Sequence, residues 1–166
     1  LMKTLFLVRH AKSSWDEPNL ADHDRPLNKR GKKDAPRMAK RLKEREVLVD
    51  LMVSSTATRA LDTCKILAEK LKYPKKNIVE NKNLYHASPD EMLRTVRQLP
   101  SENEHVFLFG HNPGLTEFAN NLSGENIMNV PTCGIVEIHF DVDNWQAVRW
   151  KSGRCVWFDF PKSKSD

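Results

Sequence analysis

Apolar residues along this chain follow two alternating periods. Residues 3–8 form an apolar, branched run of strand length, and shorter runs recur at 51–54, 78–80 and 105–110. Between them the apolar positions are spaced for helices. Ala35, Met38, Ala39 and Leu42 share one face of a segment that Asn28 can cap and that reaches about residue 45. Pro36 falls inside that pattern and is expected to kink the helix or delay its start. A second helix is predicted over about 56–72, with Ala60, Cys64, Leu67, Ala68 and Leu71 inward and Pro74 as its stop. Pro89 suits the first turn of a third helix ending near Leu99, and a fourth covers about 115–122. In the last third, residues 135–141, 147–151 and 154–160 read as strands, divided by turn signals at Asp143-Asn144 and Ser152-Gly153. Residues 9–26 make a long polar loop, and residues 161–166 are expected to fray.

Strand–helix alternation predicts an α/β fold of three layers, α/β/α, with a largely parallel central sheet. The terminal strands are expected to add antiparallel edges. No repeat, low-complexity tract or linker divides the sequence, so residues 1–166 are expected to form a single domain, which 166 residues allow. Leu1, ahead of Met2, is taken as a remnant and left aside.

Composition narrows the picture. Charged residues make up 30% and the mean hydropathy is -0.61, with no run near the ~20 apolar residues of a membrane span. Cys64, Cys133 and Cys155 form no CxxC pair, which argues against a structural zinc site or a disulfide framework and favours a reducing, cytoplasmic setting. The net charge of +5 is local: residues 25–45 hold ten Lys and Arg side chains against Asp34 and Glu44. Such a stripe is either a solvated helix face or a surface that attracts an acidic or phosphorylated partner. Nucleic acid is not expected, since no aromatic-plus-basic strand motif accompanies it.

In parallel sheets the ligand site lies beyond the carboxyl ends of the strands. Arg9 and His10 directly follow the first predicted strand, Arg59 opens the helix after the second, and His111 follows the strand at 105–110. Two guanidinium and two imidazole groups from three separate junctions suit a phosphate pocket. Arginine forks match phosphate oxygens, and helix N-termini add backbone donors. Ser13, Ser54, Ser55 and Thr56 supply hydroxyls nearby. A neutral imidazole in such a pocket can attack phosphorus, and positioning with charge neutralisation then needs neither metal nor cofactor. His23, His105 and His139 read as surface or strand positions without metal-ligand spacing.

These residues resemble a known family. Arg9-His10-Ala11-Lys12-Ser13 resembles the Arg-His-Gly signature of the histidine phosphatase superfamily. Residues 54–63 resemble its second arginine motif and Gly110-His111-Asn112-Pro113 its second histidine motif. The short chain, Asp22…Arg25-Pro26-Leu27 and Gly-His-Asn-Pro-Gly look most like the SixA-type phosphohistidine phosphatases. The resemblance implies a phosphoglycerate mutase-like fold. It also implies a phosphorylated nucleophile at His10, a phosphate pocket of Arg9, Arg59 and His111, and further contacts from Ser13 and Asn112.

Two departures from the family pattern stand out. Ala11 replaces the glycine after the first histidine. Many members also place an acidic proton donor between the second arginine and the second histidine, yet residues 83–88 contain no carboxylate. His86 or Tyr85 is a candidate replacement, and Asp16, Asp22 and Asp90 are candidates that sequence cannot place. Without an acid, an alkoxide leaves slowly, whereas a protonated imidazole leaves readily, which tilts substrate choice towards phosphohistidine. The expected activity is therefore a metal-independent phosphatase acting on protein phosphohistidine through phospho-His10. A phosphatase of small phosphate esters and a non-catalytic phosphate-binding module are the alternatives. The partner is expected to be a phosphorylated protein or small phosphorylated substrate, with the oligomeric state left open.

Overall fold

The computed structural model describes residues 2–162; residue 1 and residues 163–166 of the expected frayed tail lie outside the described residues. Its six strands are β1 (Met2–Arg9), β2 (Leu51–Ser54), β3 (Val79–Glu80), β4 (His105–Gly110), β5 (Ile135–Asp141) and β6 (Gly153–Asp159). Its four helices are α1 (Lys29–Glu44), α2 (Thr58–Lys70), α3 (Pro89–Arg97) and α4 (Gly114–Ser123). The sheet runs β3-β2-β4-β1-β5-β6. β1 to β4 are mutually parallel, while β5 and β6 add the expected antiparallel edge.

Side-chain alternation along each strand divides the core in two. Phe6, Val8, Met52, Phe107 and Phe109 face α1 and α2. Leu5, Leu7, Val53, Val106 and Leu108 face α3 and α4. Both faces are thus apolar, as a parallel sheet covered on each side requires. The direction of strand addition reverses between these helix pairs, which puts α1 and α2 on one face and α3 and α4 on the other when the crossovers are right-handed.

Two expectations change. Pro36 neither interrupts α1 nor delays it: the helix begins at Lys29, capped by Asn28, whose side chain accepts the Gly31 N–H at 2.8 Å. Pro36 lies on the exposed side of α1, so the carbonyl it leaves unpaired can turn to water. Residues 147–151 are not a strand. Asn144 caps a short 3-10 turn, Trp145–Ala147, by accepting the Ala147 N–H at 3.1 Å. Trp145 is buried and donates its indole N–H to the Asn103 carbonyl at 2.7 Å. The Ser152 hydroxyl closes the next turn on Arg149. A buried anchor and two side-chain caps outweigh the weak alternation of this segment. The second helix also starts later than expected, because the Ser55 hydroxyl holds the Ala57 N–H outside it.

Register is what places the site. Arg9 pairs with Gly110 and Ser54 with Phe109. The carboxyl ends of β1, β4 and β2 therefore finish level, with β4 in the middle. The His10 N–H donates to the Gly110 carbonyl at 3.2 Å and the Ser55 N–H to the Phe109 carbonyl at 3.0 Å. Behind His10, the loop packs so tightly on α1 that a Cβ at Gly31 would stand 2.2 Å from the Lys12 carbonyl oxygen.

Candidate active site

His10 is buried at the end of β1. Its Nδ1 lies 2.8 Å from the Ala11 carbonyl oxygen, which can only accept, so the proton sits on Nδ1. Nε2 then carries the lone pair and receives the Arg59 Nε–H at 3.4 Å. Burial pushes the His10 pKa down to about 4; the Ala11 hydrogen bond opposes the shift, and the charges of Arg59, Arg9 and Arg25 add to it. At neutral pH His10 is an uncharged imidazole with an available Nε2.

His111 stands beside it, ring centroids 5.2 Å apart. Its Nε2 is 2.8 Å from the Ser55 hydroxyl. Burial holds its pKa near about 3, helped by His10 and Arg59. Arg9 donates to the Val130 carbonyl at 3.0 Å. Its pKa is lowered by burial and by the Arg59 charge. Arg9 Nε and His111 Nδ1 are buried polar atoms without a hydrogen-bond partner among the described residues. Buried groups are normally satisfied, so two such atoms at one sheet edge make this a candidate ligand site.

Arg59 projects from the first turn of α2 and is buried. Thr63, one turn on, ties this helix to the loop after β1. Its hydroxyl donates to the Arg59 carbonyl at 2.8 Å and accepts the Ala11 N–H at 2.9 Å. The distal face of Arg59 meets Asp22: Nη1 donates to the Asp22 carbonyl at 2.7 Å and Nη2 to its carboxylate at 3.0 Å. Asp22 also accepts from Tyr85 Oη at 2.5 Å and from Arg25. The Tyr85 hydrogen bond, then Arg59 and Arg25, hold this carboxyl well below the usual carboxylate range despite partial burial. His86 Nε2 lies 3.6 Å from the same carboxylate, with its ring 5.8 Å from that of His111. A cleft of about 270 Å³ opens between His86 and His111.

The structure thus brings Arg9, His10, Arg59 and His111 together and puts His86 at the rim. Asp22 alone of the three candidate acids reaches Arg59; Asp16 lies in the loop after β1 and Asp90 in the first turn of α3. Ser13 accepts from Arg25 at 2.7 Å and orders the loop around Asp22. Asn112 is engaged elsewhere. It donates to Asn129 and Val130 and accepts from the Thr116 N–H and hydroxyl, which braces the turn, and it lines the cleft beside His111. His23, read from sequence as a surface position, bonds Thr56 at 2.8 Å and packs edge-on against Tyr85.

The basic stripe divides by role. Arg25 turns into the site, Arg41 pairs with Asp159, Arg45 pairs with Glu137, and Arg30 pairs with Asp34. Lys32, Lys33, Lys40 and Lys43 remain on the exposed side of α1. No helix among the described residues is long and apolar enough to cross a membrane.

Comparison with known proteins agrees with this geometry. The sequence profile of the histidine phosphatase superfamily (branch 1) matches residues 5–88. An uncharacterised chloroplastic protein of Arabidopsis thaliana is 32% identical over 165 residues, covering 95% of this chain and 75% of that one. The crystal structure of a candidate phosphohistidine phosphatase SixA from Agrobacterium tumefaciens is 27% identical. It superposes with a TM-score of 0.82 over 96% of this chain and 98% of that one. The protein histidine phosphatase SixA complexed with tungstate shares the fold, with a TM-score of 0.82 at 22% identity and coverage of 95% and 97%. A profile that spans the first arginine–histidine pair and Arg59, together with a relative matched over nearly the whole chain, places this protein in the histidine phosphatase superfamily, with a SixA-like architecture.

Proposed function

We propose that this protein is a metal-independent phosphatase of protein phosphohistidine that works through a phospho-His10 intermediate. The observation that carries the reading is His10 itself: Nδ1 is held by the Ala11 carbonyl, which leaves Nε2 unprotonated against Arg59. Pure phosphate recognition has no need of a neutral nucleophile in a cationic pocket.

The cycle has two displacements. His10 Nε2 attacks phosphorus, a new N–P bond forms, and the bond to the substrate breaks with its electron pair leaving on the substrate atom. Water then attacks phospho-His10, the N–P bond breaks, and inorganic phosphate and neutral His10 are released. Arg9, Arg59 and His111 hold the equatorial oxygens, where charge stabilisation is worth most. His111, neutral in the free protein, acts as a hydrogen-bond donor or takes up a proton as the anion enters.

Substrate class follows from the pocket's acid. The carboxylate at the mouth is held ionised, so it supplies no proton to an alkoxide. An imidazole departs from phosphohistidine without one, provided its other ring nitrogen is already protonated. The exposed lysines of α1 suit an acidic phosphoprotein.

Incubation with labelled phosphohistidine proteins and a panel of phosphate esters tests the reading. The expected results are preferential turnover of phosphohistidine, an acid-labile label on the enzyme, and loss of both in His10→Ala. A clear preference for esters overturns the substrate class, and an active His10→Ala overturns the mechanism.

A further inference from the structure

Asp22 does more than hold Arg59. It sits in a short 3-10 turn, Asp22–Asp24, with its side chain half exposed at the mouth. Its acceptor positions are filled in the free protein. Oδ1 takes Nε and Nη2 of Arg25 at 3.2 and 3.1 Å, and Oδ2 takes Arg59 Nη2 at 3.0 Å and the Tyr85 hydroxyl. A carboxylate has about four such positions. An imidazole already stands just outside this shell, with His86 Nε2 3.6 Å from Oδ2.

A phosphoryl group entering the pocket competes with Asp22 for Arg59, because the Arg59 edge that meets Asp22 also reaches His10 through Nε. If the phosphoryl group draws Nη2 off Oδ2, Asp22 keeps the Tyr85 hydroxyl there and regains one acceptor position. In a phosphorylated imidazole, the nitrogen not bonded to phosphorus points away from it, towards the mouth where Asp22 lies. We propose that Asp22 receives the ring N–H of the departing imidazole and thereby selects phosphohistidine over phosphate esters. The proposal rests on the phosphohistidine reading above and assigns its specificity to one residue.

The electron count closes. His10 Nε2 supplies the pair for the new N–P bond, and the old P–N pair goes to the departing nitrogen. The proton stays on the distal nitrogen, so the leaving group is neutral imidazole. Asp22 favours the protonated ring before cleavage by accepting its N–H, a charge-assisted contact. Towards an ester the same carboxylate is adverse, since it has no proton to give and opposes charge growing on oxygen. Tyr85 keeps its own proton, its pKa raised by burial and by the adjacent Asp22, and so holds the carboxylate in place as a donor.

The test compares kcat/KM for a phosphohistidine peptide and for p-nitrophenyl phosphate, whose phenolate leaves without a proton. In Asp22→Asn the phosphohistidine-to-ester ratio is expected to fall at least tenfold, because the phosphohistidine rate drops by that much more than the ester rate. Asp22→Ser, at the same half-exposed position, gives a second measurement with the same expectation. A parallel fall on both substrates, or an unchanged ratio, overturns the assignment and leaves Asp22 as a support for Arg59. The two failures are separable: wild-type protein that cleaves only the ester refutes the phosphohistidine reading, whereas wild-type activity on the peptide with an unchanged variant ratio refutes only the role of Asp22.

Discussion

The Ser55 hydroxyl stands 2.8 Å from His111 Nε2 and accepts the Ala57 N–H at 3.2 Å. With that acceptor side taken by backbone, the hydroxyl proton is free to point at the imidazole. When it does, His111 carries its own proton on Nδ1, a buried nitrogen without a hydrogen-bond partner among the described residues. A main-chain group at the start of α2 thus fixes which face of His111 presents a donor to an anion, in the manner of an outer partner orienting a ligand-binding imidazole.

Ser55→Ala removes that control without touching the nucleophile. The ring regains its second tautomer, and Nε2 is left buried and unpaired, a penalty of about 1–2 kcal/mol. The expected outcome is a fall in kcat/KM of roughly 5–30-fold, carried mainly by kcat. A single-turnover measurement of phosphoenzyme formation checks it. Ser55→Thr keeps the hydroxyl and should retain most of the rate, which separates orientation from packing.

The four central residues were legible in the sequence because each follows a strand whose apolar run fixes where it ends. Once β1, β4 and β2 are parallel and in register, Arg9, His10 and His111 share one edge, and Arg59 joins them from the first turn of the helix after β2. Asp22 was not legible in the same way. It lies in a polar loop with no period, and what brings it to Arg59 is the Arg25–Trp15 stack, at 3.6 Å, together with the Arg25–Ser13 bond. Tyr85 and His86 share that difficulty, and His86 adopts a positive φ of 57 that residue type alone would not suggest. The difference at residues 147–151 has a related origin: Asp143-Asn144 signals a turn, and an asparagine that marks a turn also caps a helical one.

Stability should fall on mild acidification, because both site histidines are held neutral. His10 has a folded pKa of about 4 and His111 about 3, against an ordinary value of 6.5. Between pH 6.5 and 4 the unfolded chain binds protons that the folded protein refuses, so unfolding becomes easier as pH drops. The stabilisation is complete above 6.5 and is lost down to the folded values. Each unit is worth about 1.4 kcal/mol, so the loss from His10 approaches about 3 kcal/mol near pH 4. Asp22 adds almost no slope in that window, since its carboxyl is ionised in both states above its ordinary value of 3.8; its stabilisation is in place there and is lost as pH falls below that value. Urea titrations at pH 7 and 4.5 measure the slope. His10→Gln should flatten it, and an unchanged slope in that variant would show that the nucleophile is not held neutral by burial.

Part of the basic stripe serves the fold, and one pair tests this directly. Arg41 Nη1 donates to Asp159 Oδ2 at 3.1 Å and to the Phe160 carbonyl at 2.8 Å, and Nη2 reaches the Pro161 carbonyl at 3.2 Å. Both partners are buried, and the contact fastens the end of β6 to α1. Removing one charge from such a pair leaves the other uncompensated in the interior, at a cost of about 3–5 kcal/mol. Asp159→Ala should therefore lower the urea midpoint by that equivalent while leaving kcat/KM of the folded protein unchanged, since neither residue touches the site. Replacing both partners by apolar residues, Arg41→Met with Asp159→Leu, should recover most of the loss. The lysines at 32, 33, 40 and 43 have no such buried partner among the described residues, and their replacement by Gln should leave the midpoint within about 0.5 kcal/mol of wild type. If instead Asp159→Ala costs as little as a lysine change, the pair is solvated and the stripe is a surface feature throughout.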